Sequence, residues 1–364
     1  MTTPWLAIDI DKIEHNTHTI VGLCKRHGIA VTGVTKVTCG HPEVARAMLR
    51  GGVSGIADSR MENIHRLIDA GIDTELMLLR LPALSSVDDV VESVTVSLNS
   101  ELAVLEALSA AAQQRDKVHD VILSVDLGDL REGIWPDDLM PFAWEVTKMP
   151  GIRIKGLGTN LTCFAGVVPD EDNMNRLVEL ATELERRFDI RLDYISGANS
   201  SGLELIAAGA MPTRVNHARI GEAILLGRET THRKPWPDTC QDAFVLHAEV
   251  LELKKKPSVP LGQRGEDAFG KRPEFEQRGE VLRALLNVGH EDIDVEGLTP
   301  RDTGAVILGA SSGYLVVDVT AAAGSIRVGD TLAFALNYAA LLAAMTSAYV
   351  KKHAYRGAVR MEDH

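Results

Sequence analysis

Apolar residues recur along the chain with two different periods. From about residue 10 to residue 235, short apolar runs that suit strands alternate with segments whose apolar positions fall three and four apart, as on one face of a helix. The pattern predicts strands over 31–36, 52–59, 75–80, 95–99, 121–127, 154–161, 194–200 and 215–221. Between them lie amphipathic stretches at 11–27, 42–50, 61–70 and 100–114, and another in which Leu177, Leu180, Ala181, Leu184 and Phe188 mark one face. Eight strand-then-helix units suit an α/β fold of the (β/α)8 TIM-barrel type. An open doubly wound sheet would read alike, so the period favours the barrel without excluding the sheet.

After Arg228 the pattern changes. His232 to Pro237 carries two prolines and reads as a linker, and from Phe244 onward β-type runs dominate, at 244–253, 281–288, 304–308, 314–319 and 331–334. A helical segment over 338–349 closes this C-terminal all-β domain. The stretch 257–278, rich in Gly, Pro and charge, predicts a long loop of the kind that carries function or mobility. No internal repeat or low-complexity tract is present.

Composition narrows the classes. The 364 residues are 45% hydrophobic and 24% charged, which suits a globular chain with a sizeable core. A net charge of −13 argues against a nucleic-acid partner, because phosphate binding needs a basic face. Four cysteines without CxxC or zinc-ligand spacing read as reduced thiols, and no basic-then-apolar leader is visible, so a cytoplasmic protein is expected. The uncharged stretch 331–350 raises the question of a membrane span. Asn337, Tyr338, Thr346 and Ser347 interrupt it, and a buried strand and helix is the better reading.

In a barrel, reactive groups gather where strands end and loops begin. Lys36 closes the first predicted strand within Gly33-Val34-Thr35-Lys36-Val37-Thr38-Cys39-Gly40. Only a neutral amine attacks a carbonyl, and apolar surroundings favour the neutral form, so a Schiff-base lysine suits this place. Taken alone, a lysine that snorkels out at a strand end is the plainer account. Ser196-Gly197-Ala198-Asn199-Ser200-Ser201-Gly202 and Arg219-Ile220-Gly221 end the seventh and eighth strands. Small residues and hydroxyls there suit a phosphate at helix starts, and each segment alone is also ordinary turn chemistry. Their joint position in the barrel favours the phosphate.

Asp126, at the end of the fifth strand, is followed by Arg131, and the two either orient a carboxylate or ring or form a structural ion pair. Asn160, at the end of the sixth, can hydrogen-bond a cofactor, and Cys163 beside it reads as a packing residue. The twelve histidines form no HExxH cluster, so no catalytic metal is expected, and no GxGxxG follows a strand. Gly309-Ala310-Ser311-Ser312-Gly313 matches GxSxG but leads into another β run, so it reads as a turn.

With these residues in place, the chain resembles the alanine-racemase-like family of fold-type III pyridoxal-phosphate enzymes, its ornithine-racemase branch above all. The likeness runs from Trp5–Asp9, similar to the family's opening strand, through Thr35 to Cys39, Ala57 to Arg60, Met77 to Arg80, Val125 to Gly133, Gly158 to Cys163, Ser196 to Ser201, Arg219 to Gly227, Asp267 to Gly270 and Leu308 to Ser312, ending at Asn337 to Met345. It implies a pyridoxal-phosphate barrel over 10–235 and a β domain made of 1–9 and 236–364. It also implies that Lys36 carries the cofactor, that Asn199, Ser200, Ser201 and the Arg219-Ile220-Gly221 backbone hold its phosphate, and that Tyr338 contacts that phosphate. Arg219 would face the pyridine nitrogen, and Arg131 the phenolic oxygen.

The departures are specific. Gly40 lies where alanine racemases place a tyrosine, and Asn160 stands for their histidine. No tyrosine occurs near 257–265, where the second base is expected, so His290, Tyr314 and Asp267 are candidates only by place. Gly313 replaces an aspartate of the ornithine-type pattern. The expectation is a racemase of a basic amino acid, ornithine or else lysine or arginine, working as a head-to-tail homodimer, with Asp267 or Glu266 and Ser312 near the substrate. The rivals are a non-catalytic pyridoxal-phosphate carrier, which would lack the β domain, and a lyase or decarboxylase of the same fold.

Overall fold

A computed structural model describes residues 3–322 and 326–357. The strands, in chain order, are β1 (Trp5–Asp9), β2 (Ala30–Val34), β3 (Gly55–Asp58), β4 (Glu75–Leu78), β5 (Val96–Asn99), β6 (His119–Ser124), β7 (Ile152–Gly158), β8 (Tyr194–Ala198) and β9 (His217–Ile220). They continue as β10 (Phe244–Pro257), β11 (Glu280–Leu286), β12 (Leu298–Pro300), β13 (Val306–Ala310), β14 (Leu315–Asp318), β15 (Thr331–Leu336) and β16 (Lys351–Tyr355). The chain divides into two compact units, Ile10–Gln241 and the combination of Met1–Asp9 with Asp242–His364.

In the first unit, β2 to β9 run parallel and close, with Thr32 of β2 opposite Gly55 of β3 on one side and Arg219 of β9 on the other. An open doubly wound sheet is thereby excluded. Alternate residues of a strand share a face, and Val34, Ala57, Met77, Val96, Leu98 and Ile122, from five successive strands, form one buried cluster with Tyr194 of β8 packed against it. That cluster is the barrel's interior. Helices cover the outside. The helix Glu171–Phe188 buries the predicted face, Leu177, Leu180, Ala181 and Leu184. It starts at a capping box in which Asp170 accepts from Asn173 N–H at 2.8 Å and Asn173 returns the bond at 3.0 Å.

The stretch read as a linker belongs to the barrel unit, which continues past 235 to Gln241. The buried Glu229 carboxylate accepts N–H bonds from Thr231, His232 and Lys234, and Trp236 N–H reaches Gly227 O at 2.8 Å, so the prolines lie in a folded loop.

The second unit is a mainly antiparallel sheet in the order β12-β15-β10-β11-β14-β13. The long β10 pairs with β1 and β15 along its first half and with β11 along its second, the two halves meeting at a bulge between Val250 and Glu252. The stretch 331–350 resolves into β15, the capping residue Asn337, which accepts from Ala340 N–H at 2.9 Å, and the helix Tyr338–Thr346. Among the described residues, no helix is long and apolar enough to cross a membrane.

Candidate active site

The first predicted strand ends two residues early. β2 stops at Val34, and Lys36 opens a 3-10 turn, Lys36–Thr38, followed by Cys39 at φ 52° and Gly40 at φ 62°. Lys36 is therefore half-buried on a turn rather than enclosed in an apolar strand. No hydrogen bond or ion pair engages its Nζ among the described residues.

Two strand ends beside it form a polar cradle. Asn199 Oδ1 accepts from the Ser201 N–H at 2.7 Å and from Ser201 Oγ at 2.6 Å, which opens the 3-10 turn Ser200–Gly202. Its Nδ2 donates to Leu161 O at 2.9 Å and Asn160 Oδ1 at 3.4 Å, tying the end of β8 to the loop after β7. The buried Ser200 Oγ accepts from the Ala223 N–H at 3.1 Å, which brings the Ser200–Ser201 turn against Ile220-Gly221 and the helix Glu222–Leu226. Glycine suits position 221, since a Cβ there would lie 3.1 Å from Val34 Cβ and 3.2 Å from Val34 O, a tight fit. Thr159 Oγ1 and Asn160 Nδ2 after β7, and Asn99 Oδ1 at the end of β5, are buried without a hydrogen-bond partner. Orphaned polar atoms are rare in interiors, and such a set at one end of a barrel calls for a polar ligand.

Arg219 is 5% exposed, and its neighbours were not foreseen from the sequence. Its Nη2 donates to Thr159 O at 2.6 Å, and its Nη1 to Ser196 O at 3.3 Å and to Ser196 Oγ. Ser196 Oγ lies 2.7 Å from His217 Nδ1, and His217 Nε2 lies 2.8 Å from Thr32 Oγ1. The donors order themselves. Arginine can only donate, so Ser196 accepts from it and gives its own proton to His217 Nδ1, leaving Nε2–H to donate to Thr32. Burial, then the Arg219 charge, hold His217 down at about 3, so it stays neutral. Burial brings Arg219 down to about 10, and it remains charged at neutral pH. Tyr194 stacks on His217 at 4.4 Å and donates to Glu75, whose other oxygen takes Lys155 Nζ at 2.6 Å. The visible signal was polar residues at alternate strand positions, Tyr194 and Ser196, then His217 and Arg219.

After β6, Asp126 Oδ1 accepts from the Gly128 and Leu130 N–H groups, so it shapes the turn, and the partner of Arg131 is Glu132, at 2.6 Å. The buried Asp129, also missed, accepts from Thr162, Phe164 and Val167 N–H groups and pins the loop after β7. Cys163 in that loop is exposed, against the packing role read for it.

Tyr338, Asp267 and Ser312 belong to the other unit. Tyr338 is the first residue of its helix. Asp267 is exposed, and its Oδ1 accepts from Phe269 and Lys271 N–H at 2.8 and 2.9 Å, bonds that hold its carboxyl below the usual range. Phe269 meets His290 edge-on at 4.4 Å, and Ser312 O accepts from the Glu291 N–H at 3.0 Å. The loop and the turn thus meet one segment, His290 to Asp294, which lines a cavity of about 480 Å³ with Glu291, Asp292 and Asp294 among its walls.

Comparison with known proteins fits this geometry. Residues 8–229 match the family described as alanine racemase, N-terminal domain. An ornithine racemase of Acetoanaerobium sticklandii is 43% identical over 96% of this chain and 99% of its own. A lysine racemase of Thermotoga maritima is 38% identical over 97% and 98%. An alanine racemase structure from Clostridium difficile 630 superposes with a TM-score of 0.75 at 19% identity, covering 98% of this chain and 97% of the other, a likeness of fold. The chain belongs to the alanine racemase family.

Proposed function

We infer that this amino-acid racemase, an isomerase, interconverts the L and D forms of a basic amino acid, ornithine ahead of lysine or arginine, with pyridoxal phosphate held covalently by Lys36. The observation that carries the site is the uncommitted Lys36 amine in the same barrel as the Ser200–Gly221 cradle, the buried Arg219 cation and the orphaned Thr159 Oγ1 and Asn160 Nδ2. These residues suit a group that is anionic at one end and carries a ring nitrogen at the other. Bound there, pyridoxal phosphate supplies the electron sink that makes an α-proton acidic.

The side chains do the rest. Asn199, Ser200, Ser201 and the Ile220-Gly221 backbone bind the phosphate, Arg131 takes the phenolic oxygen of the ring, and Asn160 hydrogen-bonds the cofactor. Arg219, charged and unable to accept, disfavours a proton on the ring nitrogen. That limits charge delocalisation and favours return of the proton to the α-carbon. Lys36 moves the α-proton on one face. A group from the β domain of a second copy, in a head-to-tail homodimer, serves the other. Asp267, with Ser312, is assigned to the side-chain end of the substrate, where an exposed carboxylate suits a distal ammonium. The reduced cysteines support a cytoplasmic setting.

Incubating a panel of L-amino acids in deuterated water with the protein and pyridoxal phosphate tests this. Ornithine is expected to gain α-deuterium and yield its D isomer. Lys36→Ala is expected to lose covalent cofactor binding and at least about a thousandfold in rate. No exchange in any amino acid would sink the reading, and carbon dioxide or an aldehyde as product would replace it with a lyase.

A further inference from the structure

A buried carboxylate sits beside the lysine turn. Asp58 closes β3 and is 0% exposed. Its Oδ1 accepts from the Ser59 N–H at 2.7 Å, the Arg60 N–H at 3.2 Å and Asn63 Nδ2 at 2.8 Å, while Oδ2 accepts from Thr35 Oγ1 at 2.8 Å. Burial pushes this carboxyl above the usual range, and the four donors work against that push. An apolar residue would end the strand at less cost. What a carboxylate adds is the nearer of two acceptors for the hydroxyl of Thr35, the residue before Lys36, at 2.8 Å against 3.3 Å for Ala57 O, and so a preferred direction for that hydroxyl.

Thr35 is the hub of the turn. Its N–H donates to Ala57 O at 2.9 Å, and its carbonyl accepts from Thr38 N–H at 2.9 Å, Thr38 Oγ1 at 2.9 Å and Gly40 N–H at 3.3 Å. The helix Met61–Asp69 that follows β3 holds the far end. A Cβ on Gly40 would fall 2.7 Å from Asn63 O, and Arg66 Nη1 donates to Cys39 O and, at 3.1 Å, to Asn63 Oδ1. Asp58, Asn63 and Arg66 therefore clamp the turn at both ends, while the Lys36 amine is left uncommitted.

We propose that Asp58, acting through Thr35, is a positioning residue for Lys36, setting the direction in which the amine leaves the turn and hence the rate at which the neutral amine condenses with a carbonyl ligand, the carbonyl oxygen leaving as water with the two amine hydrogens. The proposal rests on Lys36 being the cofactor lysine. Mixing apoprotein with pyridoxal phosphate and following the visible absorbance of the covalent adduct reads capture apart from turnover. Borohydride trapping and peptide mass place the adduct at Lys36. Thr35→Val, close in size and without the hydroxyl, is expected to slow capture on the order of ten- to a hundredfold, and Asp58→Asn likewise, with thermal melting within a few degrees of the parent. Thr35→Ser keeps the hydroxyl and is expected to restore the parent rate. Either slow variant decides if the other does not fold. Capture by Thr35→Val or a folded Asp58→Asn at the parent rate overturns the proposal, as does a Thr35→Ser as slow as Thr35→Val. A parent protein that traps no cofactor on Lys36 refutes the lysine assignment, and the proposal with it.

Discussion

Two buried histidines on the barrel strands show how burial decides the state of a single residue. His217, held at about 3 by burial and the Arg219 charge, and His119, held at about 4 chiefly by burial, bond through the hydroxyls of Ser196, Thr32 and Ser97. Both pKa values are depressed by folding. The stability that depends on neutral histidine is therefore complete above the unfolded value, about 6.5, and drains away as pH falls towards the folded values. Each contributes a slope of up to about 1.4 kcal/mol per pH unit over the range from pH 6 to 5. Urea unfolding at pH 7, 6 and 5 is expected to show that slope in the parent protein, and a shallower one in His119→Asn. An unchanged slope in His119→Asn would mean that His119 is not held neutral. Lys36, Ser200 and Arg219 stood out in the sequence because a reactive side chain lay beside turn-forming residues. His217 did not, since by itself it is an ordinary strand residue, and although Ser196 and Asp58 lie in segments that the sequence singled out, their bonds to His217, Arg219 and Thr35 were not legible there.

At the scale of elements, the loops after β6 and β7 depend on one carboxylate. Asp129 is 1% exposed and accepts three backbone N–H groups, from Thr162, Phe164 and Val167. Asp129→Ala leaves those donors unpaired, and a loss of about 2–4 kcal/mol is expected in denaturant unfolding. Faster hydrogen exchange at 162–167 should accompany it, with the helix Glu171–Phe188 unaffected. The strands read from the sequence were those with apolar, β-branched runs. β12 and β16 escaped because neither has such a run: β12 has three residues and ends in Pro300, and β16, Lys351–Tyr355, is a polar strand that pairs with β1. Pro141 disguised the helix Leu139–Val146, although proline is tolerated in a first turn. Lys36 left its strand because the turn's bonds to Thr35, not the apolar run, decide where β2 ends.

For the whole molecule, the proposed head-to-tail dimer makes a countable prediction. If one copy supplies Lys36 and its partner supplies the segment around Asp267, mixing Lys36→Ala with an Asp267→Ala protein of low activity should restore about a quarter of parent activity by random re-pairing. Additive residual activities would instead place both groups in one copy, and an unchanged KM for ornithine in Asp267→Ala would remove that residue from the substrate site. Local pattern was enough to read the α/β alternation, the all-β C-terminal part and the turns that carry Lys36, Ser200 and Arg219, because period and turn chemistry act between near neighbours in the chain. Closure of the barrel at β2 and β9, the Thr32–His217–Ser196–Arg219 column, the Asp58 clip and the pairing of β1 with β10 and β16 were decided only by the tertiary structure. Each joins residues far apart in sequence, where no periodicity records the contact and burial alone makes a polar group seek its partner.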